Sequence, residues 1–197
     1  MMSGGTISNC IAEQGGGFYQ YIGYFTMSGG SITENSATSS SQSALGGGVY
    51  VGKDFLMKGG SISKNSVSSS GDSGIALGGG VYVIAGASVK MESKTDDGTI
   101  TGSITNNSVS YTGSKNNCSG GGGVAIDAGI GSSGSVYGGK FTMKAGEIKD
   151  NSISGNYVSG KDVFVRGPEN STSGPYFSKN DGTVGSEVVI LTSIPEN

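Results

Sequence analysis

Residues 45–67 read LGGGVYVGKDFLMKGGSISKNSV, and nearly the same string recurs on both sides of it. Aligned on an apolar residue, any residue and Met, residues 25–37 read FTMSGGSITENSA and 141–153 read FTMKAGEIKDNSI. A fourth copy is split by an insertion into VKM (89–91) and GSITNNSV (102–109), and MSGGTISNC (2–10) is a fifth, one residue short. Between these blocks lies a second motif: GGGFYQ (15–20), GGGVYV (46–51 and 78–83), GGGVAI (121–126) and GKDVFV (160–165). Met57 follows Met27 by 30 residues and Gly80 follows Gly48 by 32, with longer spacings downstream where 92–101 and 127–140 are inserted. A period of this length with unequal loops is the mark of a solenoid.

The pieces FTM, GSI and VYV have the period-2 alternation of short strands with one buried face, and helical spacing is absent. Three short strands per coil, separated by Gly, Ser and Asn corners, predict an all-β, right-handed parallel β-helix of about five coils, stacked at about 4.8 Å. One domain spans 1–197, with clear repeats over 2–165 and a less regular coil over 166–197, where EVVIL reads as one more strand. Phe25, Met27, Ile32, Ala37, Val49 and Val51 point inward in one coil, beneath Phe55, Met57, Ile62, Val67, Val81 and Val83 in the next. The Asn of each Ile-x-x-Asn (Asn35, Asn65, Asn107, Asn151) falls at one corner and predicts a structural ladder of stacked amides. Cys10 takes that place in the first copy.

Composition narrows the function. Val, Ile, Phe and Leu make up 40 of 197 residues, at the border where disorder begins, so the periodicity decides for a fold. Twelve basic and fifteen acidic residues, without clusters and with Arg166 as the one arginine, leave no footprint for nucleic acid. No stretch approaches the length of a membrane helix, and MMSGGTISNC lacks the basic and apolar regions of a signal peptide.

The alternation of Gly47-Gly48-Val49-Tyr50 and Gly79-Gly80-Val81-Tyr82 with Ile32-Thr33-Glu34-Asn35 and Ile62-Ser63-Lys64-Asn65 resembles the chlamydial polymorphic membrane proteins and related bacterial β-helix surface repeats. The resemblance covers residues 2–165; Ile stands where that family usually has Phe, and the Gly-Gly motif is shifted by one Gly. It implies a secreted or surface-displayed module similar to autotransporter passengers, here a segment of a longer protein. A host glycan or surface protein would be its partner.

Candidate sites follow from that frame. The middle residue of each VYV-type strand is expected to face solvent, giving a strip of Tyr19, Tyr50, Tyr82, Ala125 and Phe164. Such a strip stabilises the sheet by stacking, or serves as a platform for sugar rings. The insertion 127–140 and the loop 111–123 in the same coil are candidate specificity loops. Asp96 and Asp97 are the one adjacent carboxylate pair, read as a solvated turn with a weak Ca²⁺ signal beside it. Cys10 and Cys118 lie too many coils apart for a disulfide. Sequons occur at Asn106, Asn117 and Asn170. An ice-binding array fails at Thr26, Leu56, Lys90 and Thr142, which is irregular.

Nothing here calls for a cofactor. The leading expectation is a non-enzymatic stalk or adhesin-like scaffold. The alternative is a β-helix polysaccharide lyase or hydrolase, against which the absence of His weighs. An uncapped first coil predicts end-to-end self-association.

Overall fold

The computed structural model describes residues 1–92, 101–115, 118–130, 136–167, 175–185 and 187–191. It is all-β, with five parallel sheets that run the length of one stack, the architecture of a parallel β-helix. One full coil contributes Tyr24–Met27 to sheet I, Ser31–Thr33 to sheet II, Ser36–Ser39 to sheet III, Ala44–Leu45 to sheet IV and Val49–Val51 to sheet V. Four such five-strand coils are stacked. A first coil precedes them with strands Thr6–Ser8, Ile11–Ala12 and Phe18–Gln20, and a last one follows with Tyr176–Lys179, Thr183–Val184 and Val188–Leu191. The three strands per coil expected from FTM, GSI and VYV are thus sheets I, II and V. Sheets III and IV are additional, and the count is corrected to five.

Registry is strict. Phe25, Phe55, Val89, Phe141 and Phe177 stack in one row, and Met27, Met57, Met91 and Met143 in another. Ile7, Ile32, Ile62, Ile104, Ile148 and Val184 form a third row. The expected inward residues are all buried. Those of sheets I, II and V make one central core, and Ala37 and Val67 join Ala44, Ala76, Val109 and Tyr111 in a smaller core between sheets III and IV. Most outward positions of sheets II and III carry Ser or Thr, and some of their hydroxyls bond along the axis, as between Ser61 and Ser31 (3.2 Å) and between Ser66 and Ser36 (3.1 Å).

The asparagine ladder is present and continuous. Each Nδ2 donates to the Oδ1 of the next Asn: Asn35 to Asn65 at 3.0 Å, Asn65 to Asn107 at 3.0 Å and Asn107 to Asn151 at 3.1 Å. The same Oδ1 also accepts the backbone N–H of the preceding Asn, and the second Nδ2 proton goes to the isoleucine carbonyl one coil back, as from Asn65 to Ile32 (3.0 Å). An amide can do all of this at once because it is donor and acceptor together. Cys10 holds the first position, its N–H donating to Asn35 Oδ1 at 3.1 Å. The residue before each of these positions is left-handed: Asn9, Glu34, Lys64, Asn106 and Asp150 have φ of 58°, 58°, 56°, 57° and 58°. That conformation disfavours a Cβ; the ladder beside it and the N–H bonds of Glu34 to Ser63 O (3.3 Å) and Lys64 to Thr105 O (3.2 Å) hold it in place.

Each glycine of the triplet has its own reason. The first is left-handed in every copy, as at Gly46 (φ 67°) and Gly78 (φ 70°). A Cβ on the second, Gly47, would strike the carbonyl oxygens of Ser66 and Gly79 in the next coil. A Cβ on the third, Gly48, would lie 2.7 Å from Gly80 O and 2.9 Å from Asn65 Nδ2. The triplet is therefore the backbone surface against which the next ladder rung rests. At the last full coil the triplet becomes Gly160-Lys161-Asp162, where the coil beyond contributes no strand to sheets III and IV among the described residues, and the sequence Val184-Gly185-Ser186-Glu187 has Glu where the ladder would have Asn. Asp162 uses the freed space. Its Oδ1 accepts Asn151 Nδ2 at 2.8 Å and Asn151 N–H at 3.3 Å, closing the ladder.

Two stability outcomes test this account by chemical unfolding. Asn107→Ala removes four hydrogen bonds to buried groups, from Asn65 N–H and Nδ2 and to Ile62 O and Asn151 Oδ1, and is expected to lower stability by about 4 kcal/mol. Lys64→Gly relieves the left-handed strain and, after the extra unfolded-state entropy of Gly, is expected to raise stability by about 0.5 kcal/mol.

Candidate functional site

The row Tyr19, Tyr50, Tyr82, Ala125, Phe164 is in register as expected, with ring centroids 4.6 Å apart for Tyr19–Tyr50 and 5.2 Å for Tyr50–Tyr82. Its exposure is not as expected. Tyr50, Tyr82 and Phe164 are buried, and Tyr19 alone keeps substantial exposure at 45%. The cause is sheet IV, whose Leu45 and Leu77 fold over the outer side of sheet V and form a second apolar layer with Cys118, Ala125 and Phe164. The strip is an internal stack and not a surface platform. The signal for it was in the sequence, as the Ala-Leu that precedes two of the glycine triplets (44–45 and 76–77).

Behind that stack lies a buried ion pair that sequence reading missed. Asp127 closes strand Val124–Ile126, and Arg166 ends strand Val163–Arg166 in the next coil. Arg166 donates from Nε to Asp127 Oδ1 at 3.0 Å and from Nη2 to Oδ2 at 2.8 Å. Tyr82 Oη donates to Oδ2 at 2.8 Å, and the Ala128 N–H to Oδ1 at 2.9 Å. Both carboxylate oxygens are thus occupied twice. The position of Asp127 at the root of the antiparallel hairpin Ala128–Ile130/Val136–Gly138 makes it an anchor for that insertion.

The electrostatics agree with that role. Burial opposes the Arg166 cation, but the hydrogen bond and charge of Asp127 outweigh it and raise its pKa. Burial first, then Asp127, pushes the Tyr82 phenol well above its ordinary range. Burial, followed by Tyr19 and Asp127, lifts Tyr50 from 10.0 to about 12. Burial also raises the Cys118 thiol, partly offset by Arg166.

The accessible chemistry sits on the outer face of sheet I. Two outward rows run there: Tyr24, Asp54, Ser88, Lys140, Tyr176, and Thr26, Leu56, Lys90, Thr142, Ser178. A shallow cleft of about 260 Å³ lies along the first three five-strand coils, lined by Tyr24, Thr26, Asp54, Leu56, Ser88 and Lys90. Tyr24 is 87% exposed. Further along, Lys140 Nζ stands 5.8 Å above the Tyr176 ring. An aromatic face, a carboxylate, hydroxyls and an ammonium are thus displayed together on a rigid sheet.

The remaining expectations are placed as follows. Asp96 and Asp97 lie outside the described residues, as do the sequons at Asn117 and Asn170; Asn106 is exposed. Among the described residues no group of three or more His, Cys, Asp or Glu could hold a metal ion. Neither Cys10, which is exposed, nor Cys118, which is buried, forms a disulfide. Comparison of the chain with protein-family models, with curated proteins and with solved structures gave no match.

Phenolate absorbance followed to high pH is expected to show a late step near 12 that Tyr50→Phe removes. Because the folded state holds these protons more tightly than the unfolded chain, the Tyr50 contribution to stability is complete below about 10 and declines as pH rises toward about 12. Asp127→Ala leaves the Arg166 guanidinium buried without its counter-ion and is expected to cost about 3 kcal/mol in chemical unfolding.

Proposed function

We propose that this chain is a non-enzymatic repeat module of a secreted or cell-surface protein, a rigid rod that presents a glycan- or protein-contacting side face. The observation that carries the reading is the outward cleft of sheet I, where Tyr24 projects beside Asp54, Ser88 and Lys90. A sugar ring offers apolar C–H faces and hydroxyls that donate and accept, and this set of side chains matches both. A neutral or weakly charged oligosaccharide suits it best, because Asp54 and Lys90 place opposite charges along the same cleft. Strict registry supports the scaffold role, since outward side chains are held at fixed spacing by the sheet. The resemblance to bacterial surface β-helix repeats supports an extracellular setting. The hairpin rooted at Asp127 adds a second, antiparallel element to the same rod.

A screen of glycans and host surface proteins tests the reading, run with the wild-type chain and a Tyr24→Ala/Lys90→Ala variant of equal melting temperature. The expected result is saturable wild-type binding that weakens at least about tenfold in the variant, the loss of one stacking and one charged contact. Equal binding by both would move the contact off sheet I, and binding by neither would leave the rod as a spacer.

A further inference from the structure

The first outward row of sheet I begins and ends on an exposed tyrosine. Tyr24, Asp54, Ser88, Lys140 and Tyr176 follow one another in register, so Tyr24 and Tyr176 stand four strand spacings apart, about 19 Å. Tyr24 is 87% exposed and Tyr176 42%. A third tyrosine reaches the same line from the hairpin. Tyr137, 45% exposed, lies across the corner that leads into the middle strand: a Cβ on Gly86, two residues before Ser88, would come 3.6 Å from its Cδ2. Exposed rings therefore mark the first, third and fifth strands of sheet I, about 9.6 Å apart along the axis.

The backbone under two of these rings is fixed from inside the rod. Gln20 is the one polar member of the inward row Gln20, Val51, Val83, Ile126, Val165. Its Nε2 donates to Gly23 O and to Asp54 O, both at 2.9 Å, and so ties the residue before Tyr24 to the next strand. At the hairpin, the Gly139 N–H donates to Asp127 O at 2.8 Å, so the residue that pairs with Arg166 also holds the base of the strand carrying Tyr137.

We propose, resting on the sheet I reading above, that the ligand is a linear β-1,4-linked glycan of neutral sugars, lying along the rod axis in a five-ring site. In such a chain alternate rings are turned over, so every second ring shows the same face, and this disaccharide repeat is close to two strand spacings. Rings one, three and five meet Tyr24, Tyr137 and Tyr176 with their C–H faces. Asp54, Ser88 and Lys140 offer an acceptor, a hydroxyl and a donor to the ring hydroxyls between them. Opposite charges within one row disfavour a polyanion, because Asp54 would repel the repeating charge that Lys140 attracts. An extended peptide repeats its face about every 6.7 Å, out of step with the tyrosines. An α-1,4-linked chain coils away from a straight line of contacts. Because one ligand joins the three contacts, each is reached as an intramolecular step from the last, and affinity grows with chain length until the row is spanned.

Isothermal titration calorimetry of the full chain is the test. The probes are β-1,4-linked oligomers of glucose and of N-acetylglucosamine, two to six rings long, beside α-1,4-linked maltohexaose. In at least one β-linked series, affinity is expected to rise at least tenfold from two rings to five and to level off at six. Tyr176→Ala is expected to move that plateau from five rings to three, and Tyr137→Ala to flatten the rise, each with an unchanged melting temperature. Affinity independent of length overturns the inference. So does a length dependence that survives both substitutions, or maltohexaose binding as tightly as the five-ring β-linked chain. Failure of both β-linked series to bind also overturns it; a Tyr24-dependent ligand found in the wider glycan and surface-protein screen would then leave the sheet I reading standing, and none would remove both.

Discussion

In-register stacking is the constraint on which the rest of this molecule depends. Each side chain lies one strand spacing, about 4.8 Å, from its own counterpart in the neighbouring coil. Aliphatic and aromatic residues meet themselves at no electrostatic cost, and the rows of Ile, Met and Phe build the central core in this way. Asparagine meets itself with gain, because one amide offers what the next one needs. Like charges would meet themselves with repulsion. The left-handed corner row accordingly mixes signs, with Glu34 followed by Lys64, their charges 3.8 Å apart.

A buried polar column would be costly if any rung were left unmatched. The chain avoids this at both ends with different chemistry. At Cys10 only a backbone N–H is required, so the side chain is free to vary. At Asp162 an acceptor is required, and a carboxylate reaching from the glycine position supplies it. The glycine triplet and the ladder are therefore one device: glycine is demanded where a rung lies above it and released where none does.

Much of this was legible in the repeat. The inward rows, the asparagine ladder and the place of Cys10 all follow from aligning copies, because stacking turns sequence equivalence into spatial contact. Sheet IV was not legible in the same way. Ala44–Leu45 and Ala76–Leu77 are too short to show a period, and their effect, covering Tyr50 and Tyr82, is a matter of which face another sheet lies on. Alternation told correctly that these rings point away from the central core, but away from one core proved to be toward another. The Asp127–Arg166 pair was harder still. It joins residues 39 apart across neighbouring coils, both outside the repeated motifs, so no internal copy marks either partner. The sheet I cleft lay in rows that were aligned correctly, at Thr26, Leu56 and Lys90, although the chemistry of the cleft depends on the adjoining row with Tyr24 and Asp54.

The replacement of two glycines by Lys161 and Asp162 has a consequence for how such proteins change over time. Coils upstream of that point present interchangeable upper and lower surfaces, so a unit can be copied or deleted there without redesigning its neighbours. The substituted triplet is where that freedom stops, since no further ladder rung fits above it. Length thus becomes a quantity that duplication can adjust in whole steps, with the terminator carried along unchanged, and the reach of the rod can vary while its faces keep their chemistry.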